Sequence, residues 1–145
     1  MMSRRLVLIG GIVVGAIVAA FLAMHLFMTP PTDLDLSRSK QSAAGTYLVG
    51  IAPEKEPPEQ GPLHNWTLTL KTPDGKPVEN ATIGIDGGMP QHGHGLPTAP
   101  QATAYLGEGR YRIEGVRFNM GGWWELKFSI SAAPGDDVVV FNVTL

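Results

Sequence analysis

The sequence predicts an all-β fold: a seven-stranded antiparallel sandwich carried behind one N-terminal transmembrane helix. Three observations predict it. From Thr46 to Leu145, apolar residues recur at every second position in short runs, the period of a half-buried strand. Gly, Pro and Asp-Gly signals punctuate most of those runs. The stretch from Leu6 to Met28, LVLIGGIVVGAIVAAFLAMHLFM, holds no charged residue over its 23 positions.

That apolar run comes first in the chain. As a helix it reaches roughly 34 Å at about 1.5 Å per residue, enough to cross a hydrocarbon core of about 30 Å. Arg4 and Arg5 precede it and the next cation is Arg38. The excess of positive charge on the cytoplasmic side therefore makes residues 1–5 a cytoplasmic tip and 6–28 the anchor. Everything beyond then lies outside the cytoplasm. The run exceeds the apolar core of a cleaved signal peptide, and no small-x-small cleavage site follows it cleanly. His25 reads as a polar residue near the outer interface.

Residues 29–45 are polar and weakly patterned, a linker. The domain at 46–145 begins with TYLVGI (46–51). HNWTLTLK (64–71) follows, with Trp66, Leu68 and Leu70 on one face, and TPDGKPV turns the chain. VENATIGI (78–85) carries Ala81, Ile83 and Ile85 inward, and QATAYL (101–106) and RYRIEGVRF (110–118) come next. WWELKFSIS (123–131) points Trp124, Leu126, Phe128 and Ile130 inward. DVVVFNVTL (137–145) closes the chain with Val139, Phe141, Val143 and Leu145 in phase. Seven such strands without a soluble amphipathic helix point to an immunoglobulin-like architecture, with Tyr111 placed for a tyrosine corner. The acidic, proline-rich APEKEPPEQGP (52–62) reads as a mobile loop.

Composition excludes several functions. The chain has 145 residues and no cysteine, which removes disulfides, thiolate zinc sites and thiol nucleophiles. All thirteen carboxylates follow residue 28 against nine Lys and Arg, a balance of −4 with no basic run. Nucleic acid is excluded as a partner on those grounds. No Gly-x-Ser-x-Gly, no phosphate-cradling glycine loop and no acid–histidine–serine constellation is visible, so the chain does not read as an enzyme.

Strand alternation sorts the loops. Connections 52–63, 86–100 and 119–122 fall at one end, and the linker with the remaining turns falls at the other. The first end then collects Met89, His92, His94, Met120 and His64. Thioether and imidazole together favour copper, above all Cu(I), over harder cations. Met89 stands in a glycine- and proline-rich stretch, GGMPQHGHGLPTAP, that offers a methionine no evident core. Met89, His92, His94 and Met120 are accordingly the candidate ligands of one copper ion. Each also has a plain structural reading. Histidines are common in glycine loops, and Met120 before GGWW fits a sulfur–aromatic plug under Trp123 or Trp124. His64 reads as a capping side chain and Asp86 as a strand-ending turn residue. Asn65, Asn80 and Asn142 begin Asn-x-Thr triplets that fit strand positions equally well.

DGKPVENATIGI, GMPQHGHGLPT and LGEGRYRIEGVRFNMGGWWEL together resemble the YtkA-like domain family, related to FixH-like proteins, over roughly residues 64–131. The matching positions are Met89, Pro90, His92, Gly93, His94, Gly95, Phe118, Met120, Gly122 and Trp124. The resemblance implies an immunoglobulin-like sandwich on a single transmembrane helix and a link to copper handling or haem–copper oxidase assembly. It implies as partners a copper donor or acceptor protein and a haem–copper oxidase or its assembly factors. Copper-carrier domains use His-x-Met in the second segment, where this chain has NMGGWW. Two other roles fit the same residues: a non-metal interaction module docking its loops on a membrane complex, and an enzyme accessory holding a small ligand.

Overall fold

The computed structural model describes residues 4–28 and 31–145, with side chains from Gly11 to Met24 and from Pro31 onward. The chain divides into a unit ending at Pro31 and a unit from Thr32 to Leu145. In the first, helix α1 spans Arg4–Met28. Among the described residues no helix is long and apolar enough to cross a membrane. The helical side chains described, from Gly11 to Met24, cover only about 21 Å, so they do not by themselves meet the span expected over residues 6–28. The tip before Arg4 and the side chain of His25 lie outside the described residues.

The second unit is built from nine antiparallel strands among the described residues, two more than the alternation predicts. They are β1 (Ser39–Gln41), β2 (Leu48–Pro53), β3 (Leu63–Lys71), β4 (Thr82–Met89), β5 (His94–Gly95), β6 (Gln101–Gly107), β7 (Arg110–Arg117), β8 (Trp123–Ala132) and β9 (Gly135–Thr144). One sheet has the order β1-β2-β3-β7-β6 and the other β5-β4-β8-β9. The expected alternation sets the core. Val49 and Ile51, Trp66, Leu68 and Leu70, and Tyr111 and Ile113 point inward from the first sheet. Trp124, Leu126, Phe128 and Ile130 meet Val139, Phe141 and Val143 from the second. Phe128 and Phe141 stand edge to face at 6.1 Å, a favourable ring geometry.

Both additional strands escape a pattern-based reading because they are too short to show alternation. β1 lies inside the expected linker and pairs Lys40 with Val49, while Lys40 Nζ sits 5.3 Å over the ring of Phe141. This extra strand reverses the direction from which the chain enters. Asn142 Nδ2 donates to Asp35 O at 2.9 Å, and Trp123 Nε1 donates to Asn142 Oδ1 at 2.9 Å. The chain therefore enters this unit at the end holding Trp123 and the histidines, not at the opposite end. At that opposite end, Asp137 Oδ1 and Oδ2 accept the backbone N–H groups of Ala44 and Thr46 at 3.0 and 3.1 Å.

Three local expectations are also corrected. β4 runs over 82–89 instead of 78–85: Pro77 bridges to Lys71 of β3 with Val78 N–H on Leu70 O at 3.0 Å, and Asn80, at φ 54°, turns the chain before β4 begins. Tyr111 forms no local corner. Its hydroxyl donates to Val78 O at 2.8 Å and accepts from Ala81 N–H at 3.1 Å, tethering the segment before β4 from 30 residues away. The loop after β2 is anchored, with Gly61 N–H on Phe118 O at 2.8 Å and Arg117 Nε on Gly61 O at 2.7 Å.

Candidate functional site

The Gly-Gly-Met-Pro-Gln-His-Gly-His stretch is a β-hairpin, not an open loop. Gly88 pairs with Gly95 and Met89 with His94. The turn between them closes when the N–H groups of His92 and Gly93 both donate to Met89 O, at 3.1 and 3.0 Å. Gly87 and Gly88 belong to the strand because neighbouring backbones approach too closely for a side chain. A Cβ on Gly87 would collide with the carbonyl of Glu125, and one on Gly88 with the carbonyl of His94. These glycines make the segment look like a loop in sequence, while the fold uses them to pack three strands.

This geometry separates the four candidate ligands. His92 and His94 are exposed, their rings 5.8 Å apart and within 21° of parallel. Met89, at the end of β4, points inward and is 1% exposed, a member of the core. The expectation that no core receives it is wrong, since β4 continues four residues further than predicted and delivers the side chain to the sandwich interior. Met120, on the connection from β7 to β8, is 37% exposed.

Trp124 joins these pieces. Its Nε1 donates to Met120 O at 3.0 Å, and its ring lies 6.3 Å from that of His94 at 64°. Phe118 continues the aromatic row, 5.4 Å from Trp124 and 6.4 Å from Trp66. Gly122 has φ 116°, and a Cβ there would lie 3.2 Å from Met89 Cε. The thioether of Met89 is thus packed directly beneath the Met120–Gly122 connection. The sequence pattern does not mark Trp124 as a bridge. Its one signal is chemical: a buried indole N–H requires an acceptor, and the loop just ahead of it offers carbonyls.

His64 sits on the other side of Phe118, with rings 5.9 Å apart. In the Nε2–H tautomer it donates to Glu59 O at 2.8 Å, so it organises the loop after β2, in keeping with the capping reading. Asp86 does not orient a histidine, for its Oδ1 accepts its own neighbour's N–H, Gly87, at 2.7 Å. Among the described residues no group of three or more His, Asp or Glu is placed to hold a metal ion. Any ion at this end would therefore depend on the thioethers in addition to the two imidazoles. Beside the hairpin, a shallow groove of about 360 Å³ is lined by Met89, His94, Glu125 and Lys127 among others.

Fold and site together define a small antiparallel β-sandwich module whose methionines and histidines gather at one end. The chain belongs to the YtkA-like family, whose model matches residues 41–129, more than half of its length. No curated protein and no solved structure matched it.

Proposed function

We propose that this protein is a membrane-anchored, periplasm-facing copper carrier that holds one Cu(I) ion at its His/Met end. It serves as a metallochaperone, a copper-tolerance protein or an oxidase-assembly factor, and not as an enzyme. The observation that carries the reading is a chain of neighbours at one end: His94 stands on the Trp124 ring, Trp124 Nε1 holds the Met120 carbonyl, His92 lies beside His94, and Met89 lies beneath Gly122. His92 and His94 stand side by side, with ring centroids 5.8 Å apart, and supply two imidazole donors, which suit copper. Thioethers add soft donors that favour Cu(I). Met89 would donate from within the sandwich, beneath Gly122, and Met120 from the surface. The ion is the cargo; its partners are a copper donor or acceptor protein, and a haem–copper oxidase or its assembly factors.

Several observations support the anchor and the fold type. Ile12, Ile17, Phe21 and Leu22 on α1 are more than half exposed, and a helix that is apolar all round requires an apolar surrounding. The order β2-β3-β7-β6 facing β4-β8-β9 supports an immunoglobulin-like arrangement of the constant type. A second reading draws on the burial of Met89. If that thioether serves packing alone, the exposed histidines and Met120 form a docking surface for a membrane complex during its assembly.

The test is an anaerobic Cu(I) competition titration of the full chain in detergent against a chromophoric chelator. One ion per chain at submicromolar affinity or tighter, weakened by Met120→Ala and by His94→Ala, is the expected result. Absence of competition by the wild type would overturn the carrier reading in favour of docking.

A further inference from the structure

The two methionines of the sandwich unit have opposite exposures at one site. Met89 is 1% exposed and Met120 is 37% exposed. Around Met120 the chain is open: Asn119 and Gly121 are also exposed, and a Cβ placed on Gly121 would meet nothing closer than Gln60 Oε1 at 3.6 Å. The fold holds Met120 by its backbone, through the bond from Trp124 Nε1 to its carbonyl, so its thioether is not the group that orders the connection. Oxidation of an exposed thioether follows access.

We propose that Met120 is a reversible peroxide-modification site that switches this end of the sandwich between a soft thioether and a polar sulfoxide. The sulfur lone pair attacks the distal oxygen of hydrogen peroxide. The O–O bond breaks, the other peroxide oxygen leaves as hydroxide and takes the proton of the transferred hydroxyl, and the sulfur, having lost two electrons, is left as S=O beside one water. Reversal needs a two-electron thiol reductant, delivered by a methionine sulfoxide reductase. The burial contrast is what makes this a switch and not simple damage. A sulfoxide at Met120 faces solvent and leaves the core intact, whereas one at Met89 would put a polar group into the apolar core beneath Gly122. The modification does not depend on copper. Its consequence, loss of a soft Cu(I) donor, rests on the carrier reading above.

The experiment is limited peroxide treatment of the full chain in detergent, followed by peptide mass mapping. The oxidation rate of Met120 is expected to exceed that of Met89 at least tenfold, with an unchanged far-ultraviolet circular dichroism spectrum. Sulfoxide reductase should then return Met120 to its starting mass. Equal rates at the two residues, an unreactive Met120, or unfolding that accompanies its modification would overturn the proposal. A Cu(I) titration of the oxidised chain is run beside the untreated one. Untreated protein that does not bind Cu(I) would sink the carrier reading while the mapping still decides the modification site. Untreated protein that binds, with oxidised protein binding equally well, would show that oxidation switches nothing.

Discussion

The indole nitrogen of Trp124 donates to the carbonyl of Met120 at 3.0 Å while the same ring stands 6.3 Å from His94. One buried side chain therefore fixes the β7–β8 connection and backs the histidine hairpin. Trp124→Phe keeps a ring but leaves a cavity and an unpaired carbonyl. It should destabilise the unit by at least about 2 kcal/mol, read as a lower urea midpoint. It should also speed hydrogen exchange in the 119–122 connection. An unchanged midpoint would show that the connection is held by other contacts.

Packing and ligation by Met89 are separable. Met89→Ala removes a fully buried side chain and should cost about 2–5 kcal/mol, whereas Met89→Leu conserves volume and should cost less than about 1.5 kcal/mol. Met120→Ala, at the surface, should stay within about 0.5 kcal/mol of wild type. Urea denaturation of the three variants checks this ordering. Cu(I) titration of the stable Met89→Leu variant then asks whether the buried thioether is a donor: undiminished affinity would leave it a packing residue.

The two strand glycines before the hairpin should not tolerate a methyl group. Gly88→Ala drives a Cβ into the carbonyl of His94 and to 2.9 Å from Gly95 Cα, with an expected loss of about 1–3 kcal/mol. Gly84 on the same strand meets only Ser129, at 3.7 Å, so Gly84→Ala should be neutral or mildly stabilising. Thermal denaturation of the pair distinguishes close approach from a general dislike of substitution in β4.

At the other end of the sandwich, the Asp137 carboxylate is held well below the usual carboxylate range. The Ser42 hydroxyl contributes most, followed by the amides of Ala44, Val138 and Thr46, against an opposing desolvation. A depressed pKa means that the unfolded chain takes up the proton first. The stabilisation is then complete above the unfolded value of about 3.9 and fades as pH falls below it. Asp137→Asn should therefore lower the unfolding temperature at pH 7, and its deficit relative to wild type should shrink progressively below pH 4. A deficit constant down to pH 2 would contradict this account.

The strands that bury one face announced themselves. β3, β8 and β9 alternate so regularly that the period alone turns Leu68, Phe128 and Phe141 inward, and counting reversals gathers His64, the hairpin histidines and both methionines at one end. The end at which the chain enters did not follow. β1 is three residues long, polar and at a sheet edge, so no period marks it, and one unseen strand inverts the direction of approach.

The chain by itself determined the class of fold, the inward faces and the residue types available for chemistry, because side-chain period and turn chemistry are local properties. Only the tertiary structure decided what Gly87, Gly88 and Met89 are. Glycine reads as loop in isolation, yet here it permits the backbones of β4, β5 and β8 to touch, and that contact extends β4 far enough to bury Met89. The division of two like methionines into a buried one and an exposed one arises in the same way. Exposure depends on which distant strands cover a side chain, and a thioether carries no local sign of that.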